Sequence, residues 1–219
     1  MLTYDQVTKS DAIKTYIIRA DESLAALGYT EHSFSHVIHV ARMAGYILEK
    51  MGHDARTVEL AKIAGYLHDI GNLVNRKDHS QSGAVMAWSI LNDLGCDPGE
   101  VATIVTAIGN HDEGTGVPVN AVAAALILAD KADVRWTRVR NKDITTFDIH
   151  DRVNYSVKKS ELIINDEKTA VTLNLTVDTT FCAVMDYFEI FMGRMILCRK
   201  AAERLGLTFK LIINDQQLL

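Results

Sequence analysis

Eight histidines, at positions 32, 36, 39, 53, 68, 79, 111 and 150, are the side chains best suited to chemistry in this sequence, and their neighbours decide which of them matter. His68 and Asp69 stand side by side just before Gly71, where adjacent side chains can diverge into one cavity. Asp130 ends the unbroken apolar run from Ala121 to Ala129. A carboxylate at the end of so apolar a segment needs a partner, because an isolated buried charge is costly unless it is paired or metal-bound. Imidazoles with carboxylates, and no thiolate among them, suit iron, manganese or zinc rather than a closed structural zinc site. Directly after Asp130, Lys131, Arg135, Arg138, Arg140 and Lys142 form a basic island within an otherwise acidic part of the chain.

The elements that must carry these groups are mostly helices. From His36 to Met51, the apolar positions Val37, Val40, Ala41, Ala44, Leu48 and Met51 keep a helical period. A second helix is expected over residues 54–70 with Gly71 as its left-handed stop, and a third over 81–94 ending at Gly95. Asp97-Pro98-Gly99-Glu100 combines a capping aspartate, a proline in the first helical position and a glutamate able to reach back, so a helix starts there and ends near Gly109. A glycine-containing loop follows over 110–118, then a helix over 119–129 that is buried on all sides. After His150 the periodicity changes. Val171, Leu173, Leu175 and Val177 alternate with Thr172, Asn174 and Thr176 as a half-buried strand does, with residues 161–165 as a hairpin partner. Phe181 to Leu205 returns to helical spacing and stops at Gly206, after which Leu207, Phe209, Leu211 and Ile213 alternate again. The expected fold is mostly α: a helical bundle over residues 1–150, then a small α+β C-terminal subdomain over 151–219 made of two strands, a long helix and a strand.

At 219 residues with 48% hydrophobic and 23% charged side chains, the chain has a globular composition. Its net charge is −5, with 14 basic and 19 acidic groups up to residue 150 and 9 of each beyond it, which argues against a domain that wraps a long nucleic acid. The longest apolar stretch falls well short of the roughly 18 residues a membrane span needs, and the opening residues lack a basic start followed by an apolar block. The expectation is a cytoplasmic chain with no membrane partner. Cys96, Cys182 and Cys198 are expected as reduced thiols; if Cys182 and Cys198 share one helix they lie about 24 Å apart, too far to bridge.

His36 in SFSHVIHVARMAGYIL, the doublet in AGYLHDIGN and Asp130 in LILADKAD resemble, in order and spacing, the HD superfamily of metal-dependent phosphohydrolases over about residues 20–140. His79 in DHSQSGA and His111 in NHDEGTGVP resemble the extra histidines of members that hold two metals. The chain is similar, more loosely, to the HD-GYP cyclic dinucleotide phosphodiesterases and to the HD-type symmetrical dinucleoside tetraphosphate hydrolases, from which it departs at Asn72 and, for the former, at Asn110. The resemblance implies that His36, His68, His79, His111 and Asp130 are terminal ligands and that Asp69 bridges two divalent ions. Iron is the foremost choice, with manganese or another transition metal as the alternative. It further implies a metal-bridging hydroxide that attacks phosphorus. Lys131, Arg135 and Arg138, expected on one helix face, would hold phosphoryl oxygens together with Arg76 and Lys77. Asp112 or its neighbour Glu113 would protonate the leaving group, which makes Asp69, Asp112 and Lys131 the expected catalytic residues.

The implied activity is hydrolysis of a phosphate ester or anhydride in a small, nucleotide-like phosphorylated metabolite, by an enzyme whose small sheet offers an edge for a homodimer. The same four histidines and two aspartates also resemble mixed-valent diiron oxygenases such as myo-inositol oxygenase, which would act on a polyol or phosphonate. A third reading is a non-catalytic metal-binding sensor or dimerisation module. His32, His39, His53 and His150 read as structural or surface residues.

Overall fold

The computed structural model describes residues 1–219. Seven helices come first: α1 (Tyr4–Lys9), α2 (Asp11–Ala26), α3 (Phe34–Met51), α4 (Ala55–Leu67), α5 (His79–Asp93), α6 (Pro98–Gly109) and α7 (Ala121–Lys131). The second part is α8 (Ile149–Ser156), β1 (Val157–Ile164), β2 (Ala170–Val177), α9 (Val184–Arg204), β3 (Thr208–Ile213) and β4 (Gln216–Gln217). This is the mostly α architecture with a small C-terminal sheet that the periodicity predicts. Four elements, α1, α2, α8 and β4, have no counterpart among the elements expected from periodicity.

Helix α7 is the axle of the helical part. Every residue from Val122 to Ala129 is buried, and α3, α4, α6 and α9 all pack on it. Its run of alanines keeps the cylinder thin, so several neighbours can approach at once. Asn120 starts the helix by accepting from the Ala123 backbone N–H at 2.8 Å, and Asp130 and Lys131 emerge in its last turn. Two local expectations are corrected. Glu100 does not reach back to its own helix start: it accepts from the Arg56 guanidinium and ties α4 to α6, while Asp97 alone caps the helix.

Gly71 is likewise no left-handed stop. Gly95 and Gly206 have the positive φ expected of them, whereas Gly71 lies in a 3-10 turn over Ile70–Leu73 and does not. The reason for glycine is close approach. A Cβ there would stand 2.0 Å from the His79 carbonyl oxygen and 2.4 Å from the Gly83 nitrogen, so the turn after α4 and the start of α5 touch backbone to backbone.

The sheet has the order β1-β2-β3-β4. A hairpin pairs β1 and β2 antiparallel, and β2 runs parallel to β3 because α9 crosses between them. One continuous core of 56 buried residues runs through both parts of the chain, and α8 straddles residue 150. Helix α9 lies against both α7 and β3, which brings the C-terminal segment to the side of the bundle where Asp130 emerges. The three cysteines are free and buried. No helix is long and apolar enough to cross a membrane.

Candidate metal centre

Helix ends supply the six side chains. His36 sits in the first turn of α3, His68 and Asp69 follow α4, His79 opens α5, His111 follows α6, and Asp130 lies in the last turn of α7. Across about ninety-five positions of sequence they converge on one point. His36 Nε2 stands 3.4 Å from Asp69 Oδ2 and 3.3 Å from Asp130 Oδ1, and His68 Nε2 stands 3.2 and 3.6 Å from the same two atoms. The other oxygen of Asp69, Oδ1, is 3.5 Å from His79 Nε2, which is 3.1 Å from His111 Nε2. Asp69 therefore turns one oxygen to His36 and His68 and the other to His79, whose ring abuts His111. His36, His68 and Asp130 form one compact ligand group, and His68, Asp69 and His111 form another.

The far side of each ring fixes which nitrogen is free. His68, His79 and His111 place Nδ1 against the carbonyl oxygens of Gly65 (2.8 Å), Arg76 (3.1 Å) and Ile108 (2.6 Å). A carbonyl can only accept, so each Nδ1 carries the proton and each Nε2 presents a lone pair inward. His36 donates from Nδ1 to Asp133 Oδ2 at 2.7 Å. This is how metal-ligating histidines are oriented by their outer contacts. The inward atoms His36 Nε2, His68 Nε2 and Asp69 Oδ2 are buried with no hydrogen-bond partner. Four imidazole lone pairs and two carboxylates facing one another demand positive charge between them, and a nitrogen–oxygen donor set of this kind fits divalent transition metals.

The charges respond to this crowding. Without a bound ion, burial pulls His68 down, but Asp69 and Asp130 outweigh it and push the imidazole up to about 10: the two carboxylates favour positive charge at Nε2, which a bound ion would supply in place of a proton. Burial raises Asp69 and Asp130, yet neighbouring cations and imidazoles, His68 for Asp69 and Lys131 foremost for Asp130, hold both well below the ordinary carboxylate range. His111, buried and next to His68 and Lys131, is held well below the ordinary imidazole value and stays neutral.

A cavity of about 440 Å³ opens onto the cluster, and the expected basic groups divide around it. Lys131, Arg76 and Arg138 line it. Lys131 Nζ forms ion pairs with Asp130 Oδ2 at 2.8 Å and Glu113 Oε2 at 2.7 Å. Arg76 lies over the Tyr29 ring and donates to Asn72. Arg138 is spent largely on the carbonyls of Glu31 and Asp133. The shared helix face is corrected: α7 ends at Lys131, Arg135 is extended, and Arg138 lies in a 3-10 turn. Arg135 clamps Asp133 from Nε at 2.6 Å and so steadies the partner of His36 instead of lining the cavity. Neither Lys77 nor Asp112 lines it either; Glu113 does. Glu113 is no proton donor, because Lys131 and Arg194 outweigh its burial and keep it ionised.

Sequence reasoning missed four contributors. Asn72 donates to Asp69 Oδ1 at 2.9 Å and orients the shared carboxylate. His32 and His150, read as structural or surface residues, both line the cavity. Arg194 enters it from α9. Its one sequence signal is position: it falls three residues after Phe191 and four before Cys198, on the buried stripe of that helix.

A helical bundle whose helix ends converge four histidines and two aspartates on one buried point defines a metal-binding helical domain. The HD domain family model matches residues 33–152, more than half of the chain, and the chain belongs to that family. Ribonuclease Y of Latilactobacillus sakei is 35% identical over 100 residues, 44% of this chain and 18% of that protein. Ribonuclease Y of Enterococcus faecalis is 36% identical over 100 residues, with the same coverage. The chain thus spans about a fifth of the length of these relatives. An uncharacterized protein of Methanocaldococcus jannaschii is 25% identical over 191 residues, 76% of this chain and 73% of that one. A crystal structure described as a predicted HD superfamily hydrolase, from an uncultured Thermotogales bacterium, is 27% identical with a TM-score of 0.45, over 57% of this chain and 67% of that chain.

Proposed function

We propose that this protein is a dinuclear metal-dependent phosphohydrolase acting on a small, nucleotide-like phosphorylated substrate. The observation that carries the reading is Asp69, whose two oxygens face two different imidazole groups at 3.2 to 3.5 Å, the arrangement of a carboxylate shared by two ions. His36, His68 and Asp130 would hold one ion and His79 and His111 the other, with iron foremost and manganese the alternative. When bound, such ions make water a nucleophile at neutral pH and polarise phosphoryl oxygens.

The chain's own residues supply the rest. Lys131 is buried, and Asp130 and Glu113 outweigh the cost of burial and keep it cationic; it orients Asp130 and faces charge that develops on phosphoryl oxygens. Arg76, held over Tyr29, adds a second cation on the cavity wall. Asn72 fixes the rotation of Asp69. The cavity suits a metabolite rather than a folded polymer, and the net charge of −5 supports the same preference.

The test joins metal analysis of anaerobically purified protein to a hydrolysis panel with Fe(II) or Mn(II). The panel covers nucleotides, dinucleoside polyphosphates, sugar phosphates and a short RNA. Two ions per chain with phosphate or nucleotide release from a small substrate is expected. Cleavage of the RNA alone would replace the small-molecule reading. Oxygen uptake with a polyol and no release from any ester would refute hydrolysis.

A further inference from the structure

Arg194 is the one cation in the cavity that comes from outside the matched family region, 42 residues beyond its end at residue 152. Helix α9 carries it on the same stripe as the buried Tyr187, Phe191 and Cys198, a costly place for a guanidinium. Two contacts hold it there. Nε donates to Glu113 Oε1 at 3.0 Å, and the guanidinium carbon sits over the Phe191 ring, 4.3 Å from its centre. Glu113 is in turn ion-paired with Lys131, and Lys131 with Asp130, so the guanidinium is indexed to the metal centre through a chain of three contacts. Its two terminal Nη groups have no hydrogen-bond partner in the protein. A guanidinium fork whose flank is fixed and whose tip is unpaired is organised to take an oxyanion in two parallel bonds.

We propose that Arg194 is a substrate-binding residue, delivered by the C-terminal subdomain, that grips an oxyanion of a phosphorylated substrate lying against the metal centre. The proposal rests on the phosphohydrolase reading and deepens it: the C-terminal unit completes the substrate site. Glu113 is then the positioning residue. It pairs with both Arg194 and Lys131, which offsets the repulsion between the two cations and leaves the fork open.

Inorganic phosphate is the probe, titrated by calorimetry into Mn(II)-loaded protein whose ion content is measured in parallel. Wild type is expected to bind phosphate. Arg194→Gln is expected to keep its ions and weaken binding at least tenfold. Arg194→Lys, which retains a cation for Glu113 but not the fork, is expected to weaken it nearly as much, and this variant decides the matter if Arg194→Gln loses its ions. Phosphate bound by either ion-replete variant within twofold of wild type would overturn the role of Arg194 and leave the metal centre standing. A wild type that holds two ions and binds no phosphate would overturn both the role of Arg194 and the phosphohydrolase reading, while the metal centre stands.

Discussion

Replacing Gly71 with alanine tests how the turn after α4 positions the metal centre. The new Cβ would lie 2.0 Å from the His79 carbonyl and 2.4 Å from the Gly83 nitrogen, and real Cβ contacts do not fall below 3.0 Å, so the start of α5 must retreat by at least about 1 Å. Both obstacles are backbone, and no side-chain rotation relieves them. Overpacking of this kind costs about 1–3 kcal/mol, and a backbone clash on two atoms belongs at the upper end. For a chain of this size, about 3 kcal/mol lowers Tm by roughly 6–12 °C. The second consequence is chemical. His79 opens α5 and its carbonyl is the atom displaced, while metal–ligand distances tolerate only about 0.2 Å. On the dinuclear reading, the variant should therefore lose the ion that His79 and His111 would hold and keep the one that His36, His68 and Asp130 would hold. Thermal melts in excess chelator isolate the stability effect, and metal stoichiometry reports the second. Gly109→Ala is the matched control, since its Cβ would meet nothing nearer than 3.5 Å. A Gly71→Ala protein that melts within 2 °C of wild type in chelator, with its full metal complement, would refute the close-approach argument.

Three further outcomes follow from particular contacts. Asp133→Asn removes the carboxylate that accepts from His36 Nδ1 and should weaken metal binding by about 10- to 100-fold, read by competition with a chromophoric chelator. Asn120→Ala removes the side-chain cap of α7 and should cost about 1 kcal/mol, or roughly 2–4 °C in Tm, without changing metal stoichiometry. Glu100, held below its ordinary value of 4.5 by its hydrogen bond from Arg56, stabilises the fold while ionised, so its contribution is present above pH 4.5 and is lost as pH falls below it. Glu100→Gln should thus be about 0.5–1 kcal/mol less stable than wild type near pH 7 in urea melts, with the gap closing toward pH 3.

Part of this protein was written plainly in its residue order. Helical spacing from His36 to Met51 and from Phe181 to Leu205, the Asp97-Pro98 start and the alternation through Val177 depend on nearest neighbours along the chain, and α3, α9, α6 and β2 follow them closely. The HD doublet and Asp130 were legible for a related reason: a histidine and aspartate at a helix end and a carboxylate after an apolar run are local anomalies. Other features lay beyond that reach. Gly71 reads as a helix stop until α5 is seen to cross it. Lys131, Arg135 and Arg138 read as one face until the chain leaves α7 at Lys131 and sends Arg135 to Asp133. Arg194 reads as one of several charged residues of α9 until that helix lies against α7 and turns it toward Glu113. Residue types and spacing determined which groups can bind metal, because coordination depends on donor chemistry. Only the tertiary structure decided which lone pairs meet and which cations face the cavity, because those depend on packing between segments far apart in the chain.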